Sequence, residues 1–555
     1  MSSSSSSFPF LELPPELRNA IYEPYVIVES GYIYDFETGK LRAANDPEHP
    51  IDLALMYTCT QVANEMKGVA LRANIITFRT LSSPGLDFRA SHFNGIMETL
   101  SVEVASVLGH PRYMYHDGDY IPEEAHIRYD KRVLDEVARA YPECQPLSQL
   151  ARAVGQGSPP RYNQSADDIV FLIFNSYNAD TWKEVPSVSR EILFYAAEVA
   201  SKLGCSFPDE LSWDRPILIH DLLEIQSMHK PWAIPTEDEI NHAIRKFYKS
   251  RWQNNTTRIG MMCPFSAASV AIKFLHDTPI STRKYIRKIV IHEDRGSVAC
   301  PESHAKGLIP FCVENPLLRI ERRLDLWRTV LCPFDSMTCI LDRDFWAWPQ
   351  RGPAIWSSNV ALWLVEAMDL FRAGMPEKSF SLIFDGDPDP ETSSEIFCRV
   401  QRDAAWQEAF DEACARNLLP TPSLRQMRTK SFYKREHFPR ILSAMTNNES
   451  FFIRCNFDIG SSCDVERIID QNRNCSLSEW HENWWLESKT YDHVEEPFPR
   501  NSKTYDRLEE PLETFGRWLN FYIAEFVYPA ERWRYYTEEE RTAELTYLPL
   551  SYPEN

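Results

Sequence analysis

Two histidines and two cysteines fall within 21 residues of one another, as His292, Cys300, His304 and Cys312. Imidazole nitrogens and thiolates are the ligands of tetrahedral zinc, so this cluster is the first candidate for chemistry. Its intervals match no familiar finger and no Cys-x-x-Cys is present. The expectation is two core thiols and two loop histidines, with no metal. Asp385-Gly-Asp-Pro-Asp389 alternates carboxylates like the start of a calcium loop. Pro390 stands where that loop needs glycine, and Ile396 where it needs a bidentate acid, so the segment reads as a charged turn after a strand.

Nucleotide and acyl-transfer chemistry leave no trace. GxxxxGK[ST], GxGxxG and GxSxG are all missing, and Gly155-Gln-Gly157 runs into two prolines that cannot cradle phosphate through N–H groups. Only 18 glycines occur in 555 residues. No signature of a thiol enzyme surrounds any cysteine, so no catalytic residue, no cofactor and no enzymatic activity are expected. Two basic stretches, Arg283–Lys288 (continued by Arg319, Arg322, Arg323 and Arg328) and Arg425–Arg440, interleave with aromatics. Such interleaving can bind single strands. Arg319, Arg322 and Arg323, however, alternate with Leu318, Ile320 and Leu324, as in an ordinary amphipathic element.

The formal charge of −21 argues against a general nucleic-acid or anionic-membrane binder. Residues 1–12 lack the basic start and apolar core of an export signal, and no run reaches the ~18 apolar residues of a membrane span. Thirteen scattered cysteines without paired spacing predict reduced, mostly buried thiols and a cytoplasmic or nuclear setting.

The elements that would have to position any site begin with a short helix after a serine run, Phe8-Pro-Phe-Leu-Glu-Leu-Pro-Pro-Glu-Leu-Arg-Asn-Ala-Ile-Tyr-Glu23. Pro15 suits a first helical position, and Glu16 suits the positive end of the helix dipole. Pro24 is expected to stop the helix. Leu13, Leu17 and Ile21 recur at four-residue steps and make one apolar stripe. A helix this short must dock on something.

Leu13-Pro14-x-Glu16-(x)4-Ile21 resembles the opening of an F-box, as found in the F-box-like proteins of filamentous fungi. Met56-Tyr-Thr-Cys-Thr-Gln-Val-Ala-Asn-Glu65 and Ala73-Asn-Ile-Ile-Thr-Phe78 are similar to the segments that follow in that family. Between the opening helix and the Met56–Glu65 segment, Tyr32–Phe36 and Lys40–Arg42 flank Glu37-Thr-Gly39, a hairpin signal that a compact F-box lacks. The resemblance implies a non-catalytic module in which Leu13, Pro14, Leu17 and Ile21 contact a Skp-type adaptor of a cullin–RING ubiquitin ligase. The rest of the chain would then hold an unidentified protein substrate. The rival expectation is an interaction scaffold in which the same stripe closes the chain's own core.

Beyond the module, an amphipathic helix followed by an apolar strand recurs: 267–276 then 286–292, 359–372 then 380–385, 437–445 then 451–457. Alternating helices and strands imply a parallel sheet or an open α/β solenoid, and a leucine-rich-repeat-like arrangement is one form of it. Ser488-Lys-Thr-Tyr-Asp-His-Val-Glu-Glu-Pro497 returns almost unchanged as residues 502–511, as a solvated duplication or as paired acidic docking motifs. Nearby tryptophans imply that part of this tail packs on the body. The predicted fold is mixed α/β and helix-rich. It comprises a disordered serine lead (1–7), a small helical F-box-like module (8–80), an irregular helical linker (81–165), a large irregular α/β body (166–475) and an acidic, Trp-rich C-terminal region (476–555).

Overall fold

The computed structural model describes residues 10–46, 48, 51–108, 115–116, 119–120, 131–142, 187–204, 219–247, 264–331, 352–420, 438–447, 449 and 452–490. Among them, a helix-rich shell packs on one seven-stranded sheet. Tyr32–Asp35 (β1) and Lys40–Ala43 (β2) form the expected hairpin, antiparallel with Asp35 opposite Lys40. Asp35 shapes its turn by accepting from Thr38 Oγ1 and from Arg42 Nε. A short hairpin, Tyr115–His116 (β4) with Asp119–Tyr120 (β5), stands apart from the sheet. The sheet continues through Ile75–Arg79 (β3), Lys288–Glu293 (β6), Arg319–Asp325 (β7), Phe380–Asp385 (β8) and Ile453–Cys455 (β9), all parallel to β1 and laid side by side in chain order. Gly31 permits the first of these pairings. Its φ is +68°, and a Cβ there would stand 2.5 Å from the Ile75 carbonyl oxygen.

Burial alternates along these strands. Ile76, Phe78, Ile289, Ile291, Ile320, Leu324, Phe380, Leu382 and Phe384 are buried, while their strand neighbours, Asp325 excepted, are half-buried or exposed. Only one face of the sheet therefore carries the core, as period-two side chains require. The crossover segments cover that face, each touching the next: Ala267–Asp277, the 3-10 turn Pro301–Leu308, then Gly352–Arg372, Pro390–Ala415 and Phe438–Thr446. A buried ion pair holds this layer to the strands. Glu293, wholly buried, accepts from Arg322 Nε at 3.0 Å and Nη2 at 2.6 Å, and from the N–H groups of Ala267 and Ala268 at the start of the first crossover helix. Those N–H groups lack intrahelical partners and favour an anion.

Several expectations change. Within residues 8–80, β1, β2 and β3 belong to the same sheet as the strands of the body. The stretch after residue 80 opens as one 25-residue helix, Pro84–Leu108 (α4), not as irregular structure. Ala90, Phe93, Ile96, Leu100 and Val104 give it a helical apolar face that the surrounding polar residues obscured. Pro24 does not end the first helix, which runs Pro15–Val26 (α1). The lost Ala20 hydrogen bond is tolerated in this last turn because Asn74 ties the end down. Its side chain donates to Val26 O and accepts from Val28 N, both at 2.8 Å.

The eight described cysteines are free, but only Cys312 is buried, against the expectation that most would be. Trp480 and Trp484 do pack inward, against Trp406 and Phe410, from the helix Leu477–Thr490. The serine lead, the apolar run 168–174, the basic segment 425–437 and nearly all of the duplicated tail lie outside the described residues. Among the described residues no helix is long and apolar enough to cross a membrane.

Candidate docking surface

Helix α1 has two stripes of identical four-residue period, one buried and one exposed. Arg18, Tyr22 and Val26 face inward, where Tyr22 and Val26 meet Val62, Met66 and Val69. Phe10 packs edge-on against Tyr22 with ring centroids 5.8 Å apart. Leu17 and Ile21 face outward, 53% and 43% exposed, and Tyr25 continues their line. Pro14 is exposed at the N-cap position, and Leu13 is half-buried just before it. The four residues named from sequence thus sit at one end and along one side of a single helix. Leu11, Ile27 and Tyr57 are further large apolar side chains left exposed in this region.

What fixes that orientation is a polar cluster that periodicity did not reveal. Arg18 Nε and Nη2 form a fork on Glu65, at 2.8 and 2.6 Å, and Tyr22 Oη donates to the same carboxylate at 2.8 Å. Arg18 Nη1 reaches back to the carbonyls of Leu11 and Leu13, holding the chain that enters the helix. Glu65 ends the short helix Thr60–Glu65 (α2), and Gln61 on the same helix adds a further donor. The Arg18 hydrogen bonds, followed by those from Tyr22 and Gln61, hold the Glu65 carboxyl down to about 2. Burial, with Glu65 beside it, pushes the Tyr22 phenol up to about 12. Arg18, Tyr22 and Glu65 all lie within the segments that carry the F-box resemblance. A single Arg at an apolar helix position is the signal that could have exposed the pairing, since a buried guanidinium needs a carboxylate.

The zinc candidates are not brought together. Cys312 lies in the apolar core, and its thiol is pushed up to about 12 by burial. His292 is half-buried on the face of β6 that points away from the core. His304 is not in a loop but buried in the turn Pro301–Leu308. Its Nδ1 faces Ser266 Oγ at 2.7 Å and Ser269 Oγ at 3.1 Å, and its Nε2 faces Ala299 O at 2.8 Å. Cys300, half-buried with φ +60°, precedes that turn and accepts from Arg190 Nη1. Among the described residues no group of three His, Cys, Asp or Glu is arranged to hold a metal ion. Asp389 caps the helix Pro390–Ala415 by accepting from Thr392 N at 3.0 Å, the local task of the acidic turn.

What this surface can do chemically is bury hydrocarbon against another protein. Comparison with protein-family models, with curated proteins and with solved structures finds no match.

Proposed function

We propose that this chain is a non-catalytic recruiting protein. The outward stripe of α1, comprising Leu13, Pro14, Leu17 and Ile21, docks a Skp-type adaptor of a cullin–RING ubiquitin ligase, and the α/β sheet region holds a target protein. The observation that carries the reading is the exposure of Leu17 and Ile21 on a helix whose opposite face is pinned by Arg18, Tyr22 and Glu65. Aliphatic side chains kept in water on a rigidly oriented helix are ready to be covered. In the scaffold reading the same side chains would close the chain's own core, which their exposure opposes.

The target-holding half is supported by the strand order. Parallel strands laid down in chain order, with the described connecting helices on one face, leave the other face clear of described helices, as in a leucine-rich-repeat-like solenoid. Burying Leu13, Leu17 and Ile21 contributes about 1.5–3 kcal/mol each before association costs, so a micromolar contact requires further residues, such as Tyr25 and Tyr57, to join it. Titration calorimetry of the full chain with a purified Skp-type adaptor tests this. A one-to-one complex of micromolar or tighter affinity is expected, and no binding at 100-fold lower dilution than that range would refute the adaptor role.

A further inference from the structure

The face of the sheet that no described helix covers is cationic in a chain that is strongly acidic. In register across five adjacent strands stand Arg79 on β3, His292 on β6, Arg323 on β7, Ile383 on β8 and Arg454 on β9. At ~4.8 Å per strand this row is roughly 19 Å long. Lys288 and Arg319 form a second pair in register nearer the start of the strands. Lys288, Arg319, Lys378 and Arg454 line a groove of about 450 Å³, together with Glu321 and Glu377.

These cations are largely unspent within the protein. The side chains of Arg79, Lys288, Lys378 and Arg454 make no hydrogen bond or ion pair with any described residue, and all four are exposed. Arg319 bonds only the carbonyls of Pro316 and Leu318. Arg323 alone has a carboxylate, Glu321 at 2.7 Å. Of the other acids of this face, Asp325 pairs with Arg328, Asp385 accepts from Asn456 Nδ2 at 2.7 Å and Asp35 accepts from Arg42, while Glu377 at the groove is exposed.

We infer that this face is a docking strip for an extended, Asp/Glu-rich segment of a partner protein. The inference rests on the recruiting role proposed above and specifies the chemistry of the target that the sheet region holds. An extended peptide crossing the strands places carboxylates at intervals that reach successive members of the row. A short acidic segment feels mainly the cations within a Debye length, ~10 Å at 0.1 M salt. A long nucleic acid also feels the charge of −21 on the whole chain, which disfavours it.

Fluorescence anisotropy with a labelled twelve-residue glutamate peptide, added to the full-length chain, tests the strip. The triple variant Arg79→Glu, Lys288→Glu and Arg454→Glu replaces exposed, unpartnered side chains, so its circular dichroism and melting should match wild type. Wild type is expected to bind the peptide, less tightly as salt rises. The triple variant should lose about tenfold or more, since three modest contacts become repulsions. Equal binding by wild type and variant, no binding by wild type, or preferential binding of a twelve-nucleotide thymidine strand would each overturn the inference. Adaptor capture by the triple variant separates the two claims. Peptide binding without adaptor capture removes only the ubiquitin-ligase reading, and adaptor capture without peptide binding removes only the acidic strip.

Discussion

Arg18, Tyr22 and Glu65 decide which side of the first helix the protein keeps for itself. Tyr22 is completely buried, so Tyr22→Ala leaves a cavity and an unfilled carboxylate. The expected loss is about 3–5 kcal/mol in denaturant unfolding. Protonation should loosen the same contact. Glu65 is depressed to about 2 from an ordinary value of 4.5, so its contribution is complete above about 4.5 and disappears as pH falls through about 2. His304 acts in a different window. Burial pushes it from 6.5 to about 3, so the unfolded chain binds an extra proton between those values. Stability should therefore fall as pH drops from 6.5 towards 3, and His304→Gln should flatten that slope in urea titrations at several pH values. The stripe Leu13, Leu17 and Ile21 was legible in the sequence because its period is purely apolar. Arg18-Tyr22-Val26 has the same period but was hidden by a charged member whose partner lies 47 residues away.

At the scale of elements, α1 is a helix with one fixed and one free face. Replacing Leu17 and Ile21 with Asp changes exposed positions only, so stability should stay within about 0.5 kcal/mol of wild type. Loss of several kcal/mol in thermal or denaturant unfolding would return the stripe to the core. The contrast is Arg322, buried with Glu293 between two strands and the first crossover helix. Arg322→Met strands a buried carboxylate, and a loss of about 3–5 kcal/mol is expected. Helix–strand alternation in residues 267–457 was readable, since Ala267–Asp277, Lys288–Glu293, Phe380–Asp385 and Phe438–Thr446 follow apolar periods. The joining of β3 to β6 was not, because it pairs residues more than two hundred positions apart and no local pattern encodes a partner. Pro24 misled for a related reason: the group that stabilises the last turn, Asn74, is distant in the chain.

Over the whole molecule the two candidate surfaces are chemically unlike. The outward stripe of α1 is apolar, while the open sheet face is cationic against a net charge of −21. A protein that recruits one partner to another needs two separate, independently mutable surfaces, and these differ in the forces they use. The proposed role of the α1 stripe is to bind an adaptor. The most direct measurement is affinity purification with mass spectrometry of the full-length chain beside its Leu17→Asp/Ile21→Asp variant, both checked for unchanged melting. A Skp-type adaptor and a cullin are expected with the wild type and neither with the variant. A folded variant with the same partner list as wild type would contradict it.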